Sequence, residues 1–440
     1  MASNAFIDIF RVKELRQRIL YTIMWLALFR LGTFLPIPGI NASALQSYFA
    51  SQSSSGAGGI TDYLDFFAGG AFKNFSLFML GVMPYISMQI IMQLMLVVSP
   101  KLKKISEEDG GKKKIARWTR IGTVFVTIVE SYSITVWADR IPNAIAMARL
   151  PYTLIAILTV TTGSMFLIWI GEQITKRGIG NGVSLLIFAG IVARLPNALF
   201  ELYKKIQRDE LNPIYAIVVL AMFVLVVVMV IYEQQGQRKI PVNYAKRVVG
   251  RRMYGAQNTY IPFKINPSGV IPVIFASSIL TFPLQISSQL GVNAKWLRDF
   301  SYWLRPSGPA YSIAYVALII FFAYFYTQVT LNPQQISKNI RENGGSIPGI
   351  RSEKMEEHLT RILNRIILPG SIYLGFIALI PSLVQSLFGF PSQLAYLLGG
   401  TSLLILVGVD LDTMSQINAL LKMHHHEGLT RKGHIRSRNL

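Results

Sequence analysis

The residues of this 440-residue chain that could do chemistry are few, and their spacing suits none of the common reactions. "RGIGNG" (177–182) contains the G-x-G of a phosphate-cradling turn, which works where a strand ends and a helix begins. Here it joins two long apolar runs, so it reads as a tight turn. His424–His426 offer three adjacent imidazoles in a polar stretch with no second group of ligands, and they read as surface histidines with adventitious metal affinity. H-E-x-x-H, G-x-S-x-G and Walker A sequences are absent. With no cysteine, disulfides and thiolate-bound metals are excluded. The pattern speaks against an enzyme and implies no catalytic residue and no cofactor.

Ionisable groups inside apolar runs come next, because charge is costly in hydrocarbon and is usually kept there for a use. Arg30 and Glu130 lie well inside such runs, and Glu172 and Asp410 near their ends. An ion-coupled carrier wants buried carboxylates along its path. One central glutamate is a thin supply, and pairing with an arginine accounts for it. Aliphatic side chains are better represented. Val82, Ile86 and Ile90, then Ile187 and Ile191, then Val270 and Ile274 recur at i, i+4, which puts each set on one helical face. Faces of this kind pack against neighbours, meet lipid, or line an apolar passage.

The elements that must carry these residues follow from composition. The chain is 52% hydrophobic and 15% charged, against about a quarter charged in soluble domains. Its apolar residues gather into ten runs near the length of about 20 residues that crosses a bilayer: 19–36, 75–99, 119–137, 152–172, 183–200, 213–232, 269–289, 310–331, 368–388 and 393–411. This predicts an all-α membrane protein. "FIDIFRVKELRQRI" (6–19) is basic and amphipathic, with no A-x-A-like site after it, and predicts a retained interfacial lead-in. Thirty-two of the 43 lysines and arginines fall on the side that holds both termini, and ten on the other, which predicts cytoplasmic termini. The net charge of +21 is then mostly a cytoplasmic face, attractive to anionic phospholipids and to an acidic partner such as ribosomal RNA.

Ten runs divide five and five, predicting halves at 1–200 and 201–440, with 201–212 as the joint and 412–440 as a cytoplasmic tail. An odd number of crossings inverts the second copy of a repeat. "GVMPYIS" (81–87) and "GVIPVIF" (269–275) stand in the second run of each half, 188 residues apart. Glycine and proline inside an apolar run predict two interrupted helices, tolerable only against protein or a water-filled passage. "SQSSSGAGG" (51–59) reads as a flexible linker. "TDYLDFFAGGAF" (61–72) is too short to span, and periodicity favours an interfacial helix over a re-entrant piece. The connections 233–268 and 332–367 read as long basic loops, "YAKRVVGRRMYGAQ" and "ENGGSIPGIRSEK" among them, and suggest one shared partner site.

Several stretches carry a resemblance to a known family: "FLPIPGI" (34–40), "FFAGGAFKNFSLFMLGVMPYISMQII" (66–91), "RGIGNGVSLLIFAGIVARLP" (177–196), "VNYAKRVVGRRMYGAQ" (242–257), "GVIPVIFASSILTFP" (269–283), "PGIR" (348–351) and "GGTSLLI" (399–405). Over essentially its whole length the chain resembles the SecY/Sec61-alpha family, channel subunits of protein translocases. The resemblance implies ten transmembrane helices in two pseudo-symmetric inverted halves around a central pore. It implies a pore ring of Val82, Ile86, Ile187, Ile191, Ile274 and Ile405. It makes the 61–72 segment a plug, with Asp62, Tyr63, Leu64, Phe66, Phe67, Gly69 and Gly70, in place of an interfacial helix. It implies a lateral gate at Gly81, Pro84, Ser87, Ile90, Gln93, Gly269, Pro272, Ser278 and Phe282, and contacts for the SecA motor or the ribosome at Arg251, Arg252 and Arg351. The implied companions are SecE and SecG, the implied cargo signal sequences and nascent chains, and the implied location a bacterial inner membrane. The alternative is a secondary transporter of a small solute built from inverted repeats, which the shortage of intramembrane carboxylates disfavours.

Overall fold

A computed structural model describes residues 12–54, 65, 68–139, 141–209, 212–244, 247–249, 252–254, 258–290, 308–388 and 399–432. The chain begins with α1 (Lys13–Gly32), α2 (Ala42–Ser54), α3 (Met83–Val98), α4 (Pro100–Glu107), α5 (Gly111–Ala138) and α6 (Arg149–Arg177). There follow α7 (Gly182–Val192), α8 (Leu195–Gln207) and α9 (Pro213–Gln235), then strands β1 (Gln237–Tyr244), β2 (Arg247–Val249), β3 (Arg252–Tyr254) and β4 (Asn258–Lys264). The remainder is α10 (Ile271–Leu290), α11 (Pro309–Thr330), α12 (Pro333–Glu342), β5 (Gly345–Ser346), a 3-10 turn at Ser352–Lys354, α13 (Met355–Phe388) and α14 (Gly400–Lys432). Asn-Pro opens two of these helices in the same way. The Asn212 and Asn332 carboxamide oxygens accept from the N–H groups of Ile214 and Gln334, both at 3.0 Å, while the proline takes the first helical position, where no donor is needed.

Seven helical stretches among the described residues are long and apolar enough to cross a bilayer, and eight if α3 and α4, bent by 103°, form one span. The chain is a multi-pass membrane protein. The expected first run is not among them. α1 begins among Lys13, Glu14, Arg16 and Arg18 and stops at Gly32, so Phe34 and Leu35 fall outside the helix. The other helices also differ from their runs at the ends. α13 starts at Met355, inside what the sequence reads as a loop, and α14 continues through the expected polar tail to Lys432. Residues 51–54 of the expected linker close α2; 55–59 lie outside the described residues.

The chain divides into two compact units, one of Met1–Gln89, Lys113–Tyr203 and Ile405–Leu440, the other of Ile90–Lys112 and Lys204–Leu404. In the first, α1, α6 and α7 pack together. The turn 34–40 is bridged to the irregular run 68–82, with the Ile37 N–H donating to the Phe75 carbonyl at 2.8 Å and the Leu77 N–H to the Leu35 carbonyl at 2.9 Å. Phe49, Phe72 and Phe75 gather on Trp137 of α5. The buried hydroxyls of α5 satisfy themselves: Thr119, Thr123, Thr127 and Ser131 each donate to the carbonyl one turn back, at 2.6–2.9 Å. The extension of α14 packs Ile417, Leu420 and Leu421 against Leu15, Ile19 and Ile179.

In the second unit α11 packs against α10 and α13. The expected basic loops are built structure. β1 pairs antiparallel with β4, from Gln237 opposite Lys264 to Asn243 opposite Asn258, and β5 adds to the other edge of β1 in the order β4-β1-β5. Alternation puts Ile240 and Val242 inward, where they meet Phe263, Ile340, Ile347 and the first turns of α13 at Met355, Leu359 and Leu363. Both connections therefore share one sheet and one apolar core.

Candidate functional site

The repeated Gly-Val-x-Pro has one geometry in both places. Gly81 and Gly269 take φ of +57° and +60°, the left-handed region that glycine enters without a Cβ penalty. Two residues later a helix starts, with Pro84 and Pro272 at its second position. This corrects the expectation of interrupted helices. A proline in the first turn displaces no intrahelical bond, so the motif is a device for beginning a helix after a reversed backbone. The apolar residues 75–82 ahead of α3 are not helical; they are tied by backbone bonds to 34–37, which is how irregular backbone becomes tolerable at membrane depth.

The aliphatic pairs stand one helical turn apart. The Ile86 N–H donates to the Val82 carbonyl at 3.1 Å, and Ile187 and Ile191 face the same side of α7. Val82, Ile86, Ile90, Ile187, Ile191 and Ile405 are all buried, so these are not lipid-facing stripes. Ile274, in the other unit, is half-buried, and its carbonyl accepts from the hydroxyls of Ser277 and Ser278 at 2.8 Å. α7 is placed by the "RGIGNG" turn, as expected of a tight connection. Asn181 caps the helix through the Val183 N–H at 3.1 Å. The Ile179, Gly180 and Gly182 N–H groups donate to side chains of Thr22, Gln416 and Thr175, at 3.1, 2.9 and 2.8 Å. Three helices thus fix the turn that sets Ile187 and Ile191.

Of the expected plug residues, Asp62, Tyr63, Leu64, Phe66 and Phe67 lie outside the described residues, and Gly69 and Gly70 within them. What holds this segment escaped the sequence reading. Asp65 is fully buried, pairs with Arg194, and accepts from the Lys73 N–H at 2.9 Å. Burial pushes its carboxyl above the ordinary range, while the Arg194 guanidinium and the Lys73 N–H pull it back. The Arg30 guanidinium donates to the Gly69 carbonyl at 2.9 Å and lies over the Phe34 ring at 5.2 Å. A Cβ on Gly69 would sit 2.6 Å from the Gly190 Cα, so the segment touches the backbone of α7. Arg30 is therefore no partner for Glu130, which is buried and makes no ion pair among the described residues; the expectation of such a pairing is corrected. Glu172 is paired with Arg120 at 2.9 Å and Lys176 at 3.5 Å, and Asp410 is exposed.

Among the gate positions, Pro84, Ile90, Pro272 and Ser278 are buried and Ser87 is half-buried. The Gln93 side-chain oxygen is buried with no hydrogen-bond partner among the described residues. Phe282 lies on α10. Arg351 is exposed at the turn before the 3-10 element, its carbonyl accepting from the Lys354 N–H at 2.9 Å. Arg252 is on β3, and Arg251 falls outside the described residues.

A model of the SecY family matches residues 76–414. The protein translocase subunit SecY of Borreliella burgdorferi is 48% identical over 419 residues, 95% of each chain. That of Escherichia coli is 40% identical over 430 residues, 96% of this chain and 95% of the other. Among solved structures, a protein-conducting channel is similar at a TM-score of 0.64, with 20% identity over 92% of both chains. Sec61 from a canine ribosome–channel complex of the endoplasmic reticulum follows at 0.60, with 19% identity and the same coverage. None of these supports a small-solute transporter. With a family model covering most of its length and relatives of this identity end to end, the chain belongs to the SecY family.

Proposed function

We propose that the chain is the channel-forming subunit of a protein translocase, a passive conduit that passes unfolded polypeptides across the membrane and releases apolar segments sideways into lipid. The observation that carries this reading lies within one unit: buried aliphatic pairs at Val82/Ile86 and Ile187/Ile191, with Asp65 bonded to Arg194 just past the helix that bears the second pair and Gly69 against the backbone of that helix. Apolar walls without charged groups bind no particular sequence and close by dewetting. Val82, Ile86, Ile187, Ile191, Ile274 and Ile405 form the constriction, and the helices headed by Gly81 and Gly269 carry the gate to lipid. The energy comes from outside, from a SecA-type motor or a translating ribosome, with SecE and SecG as companions. The docking face is the sheet that joins both basic connections, with Arg251, Arg252 and Arg351 as contacts. The N-terminus, this sheet and the α14 extension lie in the cytoplasm of a bacterial cell, against anionic phospholipid.

The test is reconstitution with SecE, SecG, SecA, ATP and a presecretory protein in liposomes. Substrate should become protease-protected only when ATP and this chain are both present. Equal protection without the chain would overturn the reading.

A further inference from the structure

The contacts of Asp65 and Gly70 converge on one ion pair. Asp65 is wholly buried, and so are Ala68, Ala71 and Phe72 of the same stretch. One carboxylate oxygen accepts from the Lys73 N–H and the other from the Arg194 guanidinium, and the Asp65 carbonyl accepts from the Gly70 N–H at 3.0 Å. Arg194 occupies the two-residue break between α7 and α8, where its own N–H donates to the Ile191 carbonyl at 3.1 Å. It is therefore fixed to the helix that carries Ile187 and Ile191. A Cβ on Gly70 would lie 3.3 Å from the same guanidinium.

We propose that Asp65 and Arg194 form a latch that holds Asp65, and through its carbonyl the turn at Gly69 and Gly70, against the ring-bearing helix, so that displacing this part of the plug and shifting α7 require the same bond to break. The proposal rests on the reading of the chain as a gated channel. A buried ion pair suits this use because its strength depends on its surroundings. In a dry seal, removing either partner leaves an uncompensated charge. Once water enters, both groups are hydrated and their attraction falls with the rise in dielectric constant. The contact is thus strong while the seal is shut and weak once it has opened, the property of a two-state element. Arg30, bonded to the Gly69 carbonyl, is a second cation that ties down the same turn.

The experiment uses the assembled complex in planar bilayers, with Asp65→Asn, Arg194→Gln and the double variant. Each single change should raise the resting ion leak about tenfold or more, since loss of one partner of a buried pair leaves the other uncompensated, and the double variant should leak no more than the leakier single. Wild-type leak in both singles, or a double effect equal to the product of the two, overturns the latch. A second readout does not depend on current. Ala71, fully buried, replaced by cysteine gives the chain a single thiol. That thiol should react with an impermeant reagent faster in the Asp65→Asn and Arg194→Gln backgrounds, and an unchanged rate counts against the latch even if a variant is less stable. Current through the wild type with a polypeptide held midway separates the two ideas. Its absence overturns the channel reading, and its presence with unaltered leak in the variants overturns only the latch.

Discussion

At the scale of single residues, two glycines with nearly the same backbone conformation should respond differently to a methyl group. Gly269 has φ +60° and open space where a Cβ would go, so Gly269→Ala should cost about 1–2 kcal/mol, the penalty of left-handed backbone alone. Gly69 has φ +63°, but its Cβ would press on the Gly190 backbone, so Gly69→Ala should cost more and should also loosen the plug. Thermal unfolding in detergent ranks the two, and equal losses would refute the contact. Ile86→Asn tests the seal: a polar amide at a buried aliphatic position should wet the constriction and raise ion leak in planar bilayers, with wild-type conductance as the contrary result. The aliphatic positions were legible because residues four apart share a helix face, which spacing alone reveals. Asp65 and Arg194 were not, because they lie 129 residues apart and a pairing through space leaves no periodic trace.

At the scale of elements, the three-stranded sheet was hidden by its own prolines. Pro241 and Pro262 sit within β1 and β4, and proline in a run argues against a strand; they are tolerated here in a sheet of three strands. The alternation that survives, Ile240 and Val242 inward with Lys239 and Asn243 outward, spans too few residues to outweigh them. The helix starts at Gly81 and Gly269 misled in the opposite sense. A proline at the second helical position looks like an interior breaker when the residues before it are as apolar as those after. The cap of α7 permits a measured test: Asn181→Ala should lower stability by about 1 kcal/mol and, by freeing the turn that sets Ile187, should broaden the distribution of channel openings. On the sheet side, Arg351 is exposed and outside the apolar core beneath the sheet, so Arg351→Glu should leave folding intact while motor-driven export fails by charge reversal opposite an acidic partner. Undiminished SecA-dependent transport would reduce Arg351 to a topology charge.

For the whole molecule, class and family were plain from composition and from motifs spread over nearly the full length, and seven or eight of the ten expected spans stand out among the described residues. The excess of 21 positive charges makes a further expectation. Binding of an acidic partner should weaken steeply as salt rises, since the screening length contracts from about 30 Å at 0.01 M to about 8 Å at 0.15 M, whereas the unfolding temperature, set by apolar packing, should hardly move. Salt-independent partner binding would place the contact elsewhere. The pairing of β1 with β5 also sets a schedule for synthesis. Asn243 waits for Ser346, 103 residues downstream, a delay of roughly 5–20 s at ordinary elongation rates. Throughout that interval the nascent hairpin offers Ile240, Val242 and Phe263 to an incomplete core, since Ile340 emerges only near its end and Met355, Leu359 and Leu363 later still. Chains halted before Gly345 should accordingly be cleared by cytoplasmic proteases faster in pulse-chase than chains halted after Ile367, so that quality control reads the closing of this sheet as the sign that the chain has been made.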